Sequence, residues 1–77
     1  NPFVNYTGIQ YYLYEATAVQ VTVYNLTGEK VFEKEMGFKN RGFYFEKFDL
    51  SALPIGEYIL TLNTGNETIS RKLFKPM

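Results

Sequence analysis

Ser51-Ala52-Leu53-Pro54-Ile55-Gly56-Glu57-Tyr58-Ile59-Leu60-Thr61-Leu62 joins a tight turn to the clearest strand in the chain. Pro54 presets its own φ, and Gly56 tolerates dihedrals that residues with a Cβ avoid, so Gly56→Val should unfold the domain. Beyond the turn, Tyr58, Leu60 and Leu62 fall on one face of an extended segment, with Glu57, Thr61 and Asn63 among the alternate positions. A bend thus delivers a half-buried strand, and the reading it sets is a small all-β domain.

The same alternation recurs on both sides. Toward the N-terminus, Val19, Val21 and Val23 alternate with Gln20, Thr22 and Tyr24, as one buried sheet face requires. Before them, Thr7, Ile9, Tyr11 and Leu13 oppose Gly8, Gln10, Tyr12 and Tyr14. Pro2 bars a helix in the segment from Asn1 to Tyr6, which suits an extended arm with Phe3 anchored on the core. Asn25-Leu26-Thr27-Gly28 and Asn63-Thr64-Gly65-Asn66 read as hairpin turns, because Asn and Gly tolerate positive φ. The strand returning from Glu29 to about Met36 has charges on both faces, the mark of an edge. Gly37 to Gly42 reads as a polar loop. Phe43 to Phe48 is ambiguous: Tyr44, Glu46 and Phe48 share one face, Phe43, Phe45 and Lys47 the other, and a bulge or cover on both faces would reconcile the charges. A last strand, Glu67 to Phe74, places Arg71 between Ile69 and Leu73, and Pro76 stops it. Six or seven short strands separated by turn signals predict an Ig-like antiparallel β-sandwich or a small barrel.

The chain of 77 residues is read as one domain, 1–77, with a core built from its seven Tyr, seven Phe and branched aliphatics. Eight basic residues balance eight acidic ones, which argues against nucleic acid or an anionic membrane surface as the partner. No apolar run approaches the roughly 18 to 20 residues of a spanning helix, so no membrane insertion is expected. The chain begins at Asn1 rather than Met, from which a piece of a longer secreted protein is expected. Absence of Cys leaves the compartment open.

With no His or Cys, neither a nucleophile–imidazole pair nor a zinc site can be assembled. Glu33 and Glu35 share a strand face about 7 Å apart, the spacing of paired glycosidase carboxylates. Solubility of an edge strand accounts for them without a cleft. Asp49 with Glu46 is too few ligands for calcium. No catalytic residue, metal or cofactor is therefore expected, and the chain reads as no enzyme. If Tyr12, Tyr14, Phe43 and Phe45 share the outer face of a sheet, they form a platform for sugar rings or a partner protein. The plainer alternative is that they belong to the core or pack on a neighbouring domain. Asn5, Asn25 and Asn66 begin Asn-x-Thr sequons, all where turns are expected. Arg71, Lys72 and Lys75 form a small basic cluster at the end.

The ordered series Asn1-Pro2-Phe3, Thr7-x-Ile9-x-Tyr11-x-Leu13, Val19-x-Val21-x-Val23-Tyr24-Asn25-x-Thr27-Gly28-x-x-Val31, Gly42, Leu53-Pro54-x-Gly56-x-Tyr58 and Lys72-Leu73 covers essentially the whole chain. It resembles the C-terminal sorting domain (type A) of the Bacteroidota type IX secretion system. That resemblance implies a seven-stranded sandwich at the end of a cargo protein that enters the periplasm by a separate signal peptide. It implies recognition at the outer membrane by the secretion machinery and removal by a sortase-like peptidase upstream of the domain, leaving the cargo secreted or on the cell surface. The domain would be substrate, not enzyme. Motif positions are Pro2, Phe3, Gly28, Gly42, Pro54, Gly56 and Tyr58, expected to hold the fold, with Arg71, Lys72 and Lys75 nearer to recognition. Glu46 departs from the family, which tends to have an apolar residue there. A carbohydrate- or protein-binding module and an Ig-like spacer are the alternatives.

Overall fold

A computed structural model describes residues 2–3 and 5–77. Asn1, the first residue of the Asn1-Pro2-Phe3 landmark, lies outside them, as does Val4. Six antiparallel strands, β1 (Tyr6–Leu13), β2 (Thr17–Asn25), β3 (Lys30–Lys39), β4 (Gly42–Asp49), β5 (Gly56–Asn63) and β6 (Thr68–Lys75), form two sheets. One is the pair β1-β4; the other has the order β3-β2-β5-β6. Their inner faces enclose Ile9, Tyr11, Leu13, Val19, Val21, Val23, Phe48, Tyr58, Leu60, Leu62 and Leu73. The expected sandwich is the observed one. The N-terminal arm supplies its seventh piece: Pro2 bridges Phe74 in parallel, and Phe3 is buried with its ring 6.3 Å from that of Tyr58.

The bend between β4 and β5 is held by local bonds. The Leu53 amide donates to the Leu50 carbonyl at 3.1 Å, and the Ser51 amide to Asp49 Oδ1 at 3.0 Å. The Ser51 hydroxyl beside the same carboxyl, with that amide bond second, holds Asp49 below the usual carboxylate range. Gly56 then opens β5 at φ 148°, a region closed to most side-chain-bearing residues. Tyr58 returns its hydroxyl to the Pro54 carbonyl, the arrangement of a tyrosine corner in Ig-like sandwiches. Leu50, 1 % exposed, is a core residue that no alternation marks, since it lies outside any strand.

Two turns fall where Asn-Gly signals place them, and Gly28 takes the expected positive φ, 88°, but the asparagines act otherwise. No residue other than glycine has positive φ among those described. Asn25 acts through its side chain instead: Oδ1 accepts from the amides of Thr27 and Glu29 at 3.1 and 2.9 Å.

β3 corrects the loop expected from Gly37. The strand continues to Lys39, and only Asn40 and Arg41 separate it from β4. Its register against β2 shifts twice, between Val19/Gln20 and between Val23/Tyr24, leaving Met36 and Val31 as the extra residues. Gly37 at φ 83° serves the first of these bulges rather than a loop. β4 carries no register shift against β1, so no bulge explains its charges, and the exposure of Phe43 and Phe45 rules out cover on both faces. Tyr44, Glu46 and Phe48 face inward, while Phe43 and Phe45 stand in solvent.

Candidate functional site

The two-stranded sheet is short of apolar cover on its outer side. Antiparallel partners share a face, and the register sets Gln10 opposite Phe45 and Tyr12 opposite Phe43. Tyr12, Phe43 and Phe45 are 39, 68 and 61 % exposed, and Tyr14, just past β1, is 76 % exposed. Tyr12 and Tyr14 meet edge to face at 4.7 Å. Arg41 Nε donates to the Tyr12 hydroxyl at 3.5 Å. The Phe45 ring lies over Gly8, where a Cβ would come within 2.7 Å of it. At the far end Lys47 sits over the ring of Tyr6, 4.6 Å from its centroid, adding a fifth exposed ring to the same face. The four aromatics named from the sequence therefore stand together outside the core.

The inner face of the same sheet carries a charge. Glu46 Oε2 is 3.2 Å from Lys39 Nζ and accepts from the Tyr11 hydroxyl at 3.2 Å. Tyr11 stacks on Tyr44 at 5.5 Å, and the Lys39 ammonium also lies 5.0 Å from the Tyr44 ring. Burial, then the neighbouring Glu46 carboxylate, pushes the Tyr11 phenol well above its ordinary range, so it stays a donor. Glu46 tolerates its inward position because both partners are brought to it by other strands, Lys39 by β3 and Tyr11 by β1. Nothing local to Phe43–Phe48 signals them.

At the C-terminal end the basic residues separate. Lys75 Nζ donates to the carbonyls of Leu53 and Ser51 at 2.7 and 3.0 Å, fastening β6 to the bend. Arg71 lies opposite Leu60 on the inner side of the β6 edge, is exposed, and donates to the Ser70 carbonyl at 3.0 Å. Lys72 pairs with Ile59 on the opposite face and is exposed. Pro2, Phe3, Pro54, Gly56 and Tyr58 gather where the arm, the bend and the start of β5 meet β6. Gly28 closes the β2–β3 turn, its amide donating to the Asn25 carbonyl at 3.1 Å, and Gly42 opens β4.

Other candidates do not converge. Glu33 and Glu35 both accept from Gln20 Nε2 at 2.7 Å on an exposed face, and Glu33 also pairs with Lys30. Asp49 and Glu46 point to opposite faces of β4. Among the described residues no three or more His, Cys, Asp or Glu come together as a metal site, and no helix is long and apolar enough to cross a membrane. The sequon side chains of Asn25 and Asn66 are engaged, the first within its own turn with Glu29 and the second with Glu15 of the β1–β2 connection. An open cleft of about 500 Å³ between the sheets, flanked by Lys34 and Lys47 over Phe32 and Phe48, lets the inward-facing Lys34 keep its water.

A family model described as the secretion system C-terminal sorting domain matches residues 1–75, which takes in the arm and every strand. No curated protein and no solved structure gives a significant match.

Proposed function

Because the chain belongs to the family of type IX secretion system C-terminal sorting domains, we propose that the folded sandwich is a non-catalytic address that carries an attached cargo across the outer membrane. The observation that carries this reading is the extent of the match: it runs through the whole sandwich rather than one motif. The cargo passes through the periplasm, the secretion machinery recognises the domain at the outer membrane, and a sortase-like peptidase cuts upstream of it. The product is then secreted or held at the cell surface.

The fold supports a division of labour within the motif set. Phe3, Pro54, Gly56 and Tyr58 shape the corner on which β6 rests, and Lys75 ties β6 to that corner through two carbonyls. Arg71 and Lys72, exposed on opposite faces of the same strand, are the basic residues offered for recognition. A fluorescent reporter with an inner-membrane signal peptide, fused to residues 1–77 in a type IX-competent host, tests the reading. Reporter in the medium or on the surface is expected. Periplasmic retention equal to that of a reporter without the domain would overturn it.

A second reading, a glycan- or protein-binding module, is favoured by the exposed rings of Tyr12, Tyr14, Phe43 and Phe45 on one face. It predicts glycan-array binding that Tyr12→Ala and Phe43→Ala abolish; no binding by the unaltered domain would remove it.

A further inference from the structure

An edge strand exposes unpaired amides and carbonyls, and charged side chains, bulges or covering segments normally prevent other strands from adding to it. Three of the edges here are guarded in that way. β3 carries Lys30, Glu33, Lys34, Glu35 and Lys39 and is bulged twice. β4 carries Glu46, Lys47 and Asp49. β6 carries Arg71, Lys72 and Lys75, and the Pro2–Phe3 arm covers its end at Phe74.

β1 is different. Its sequence, Tyr6-Thr7-Gly8-Ile9-Gln10-Tyr11-Tyr12-Leu13, contains no charge and no proline, and its register with β4 is uninterrupted. Among the described residues, no backbone hydrogen bond outside the β1–β4 ladder involves residues 6–13.

We propose that the β1 edge is an interaction edge and that its occupant is β1 of a second copy of this chain, paired antiparallel about a twofold axis. The result is one continuous sheet of order β4-β1-β1-β4. Charge selects this occupant. Self-pairing of β6 would bring Arg71 and Lys72 against their own copies, whereas self-pairing of β1 opposes no like charges. Antiparallel pairing also brings the end bearing Glu15 beside the other copy's end, where Lys47 lies over Tyr6. Side-chain alternation restricts the register further: partners must share a face, so the axis passes through Ile9 or Gln10. In the second register Tyr12 of one copy faces Gly8 of the other, beside the Phe45 ring that lies over that glycine. The outer tyrosines of both copies then join the Phe43 and Phe45 rings in one aromatic surface, an isologous arrangement typical of twofold dimers.

The proposal is independent of the sorting reading, and it is tested first on the purified domain. Sedimentation of the purified domain over a concentration series should show a monomer–dimer equilibrium. Amide exchange should slow with concentration in β1 and not in β3 or β6. Gln10→Lys, at an exposed position that leaves the monomer intact, sets like charges near the axis and should weaken dimerisation about tenfold or more. Glu35→Gln on the guarded β3 edge should leave it unchanged. A monomer persisting to about 1 mM, the weak end of specific association, would overturn the proposal. So would concentration-dependent protection on β3 or β6 instead, or a dimer indifferent to Gln10→Lys. Were the domain monomeric while Gln10→Lys blocked only export, the edge would belong to the secretion machinery and self-pairing would be refuted.

Discussion

The two sheets distribute polarity in opposite senses. In β3-β2-β5-β6 the inner face is aliphatic, built on Val19, Val21, Val23, Leu60, Leu62 and Leu73, and much of the outer face is a polar lattice in which Gln20 bonds Glu33 and Glu35. In β1-β4 the inner face holds a carboxylate and a phenol, Glu46 and Tyr11, to which Lys39 reaches across from β3, while the outer face shows Tyr12, Phe43 and Phe45 to solvent. The difference teaches where stability and recognition are lodged. The larger sheet, Phe38 and Phe74 apart, spends its apolar residues on its own core, whereas the smaller one keeps several of its rings available to something else.

The comparison can be broken most visibly at the larger sheet. Leu62→Ala removes a side chain with no exposed surface and should cost about 2–5 kcal/mol. In a domain this small each kcal/mol lowers the melting temperature by about 4–8 °C, so calorimetry or circular dichroism reads it directly. Next in size is the charge inside the smaller sheet. Lys39→Met strands Glu46 with only the Tyr11 hydroxyl, at an expected cost of about 1–3 kcal/mol. Adding Glu46→Leu to Lys39→Met should recover most of it, since a buried pair replaced by apolar side chains is often neutral or stabilising. Failure of the double variant to recover would show that Glu46 holds the strand by more than its charge balance.

β1, β2, β5 and β6 were legible because their alternation is uninterrupted: Val19-Val21-Val23 and Tyr58-Leu60-Leu62 needed no knowledge of their partners. β3 was legible as a strand from Glu29 to about Met36, but its facing and its extension to Lys39 were not, and the reason is its two bulges. Each inserts a residue, Val31 or Met36, and moves every later side chain to the other face, so a period-two reading fails inside a real strand. Glu46 was illegible for a different reason, since its compensating groups on Lys39 and Tyr11 come from other strands. The aromatic face could be posed from sequence only as a condition, because nothing in β1 says which of its faces a second sheet covers.

Gly56→Val, expected from the sequence to unfold the domain, belongs instead in the middle of the scale. The Cβ position at Gly56 meets nothing within 4 Å, so the penalty is backbone strain alone, about 1–3 kcal/mol. Thermal denaturation should therefore show a lowered transition, and an unchanged one would refute the strained turn. Smallest is Phe45→Ala. Its ring is mostly in solvent, and the expected loss is within about 0.5 kcal/mol. A loss comparable to that of Leu62→Ala would mean that the outer face is part of the core after all, and the contrast between the sheets would collapse.

The central claim, that this sandwich is an address read by the type IX machinery, is tested most directly by one distribution. The extracellular fraction of a reporter fused to residues 1–77 is measured in a competent host and in the same host without its outer-membrane type IX translocon. The account predicts export in the first and periplasmic retention in the second. Equal distribution in the two hosts would contradict it.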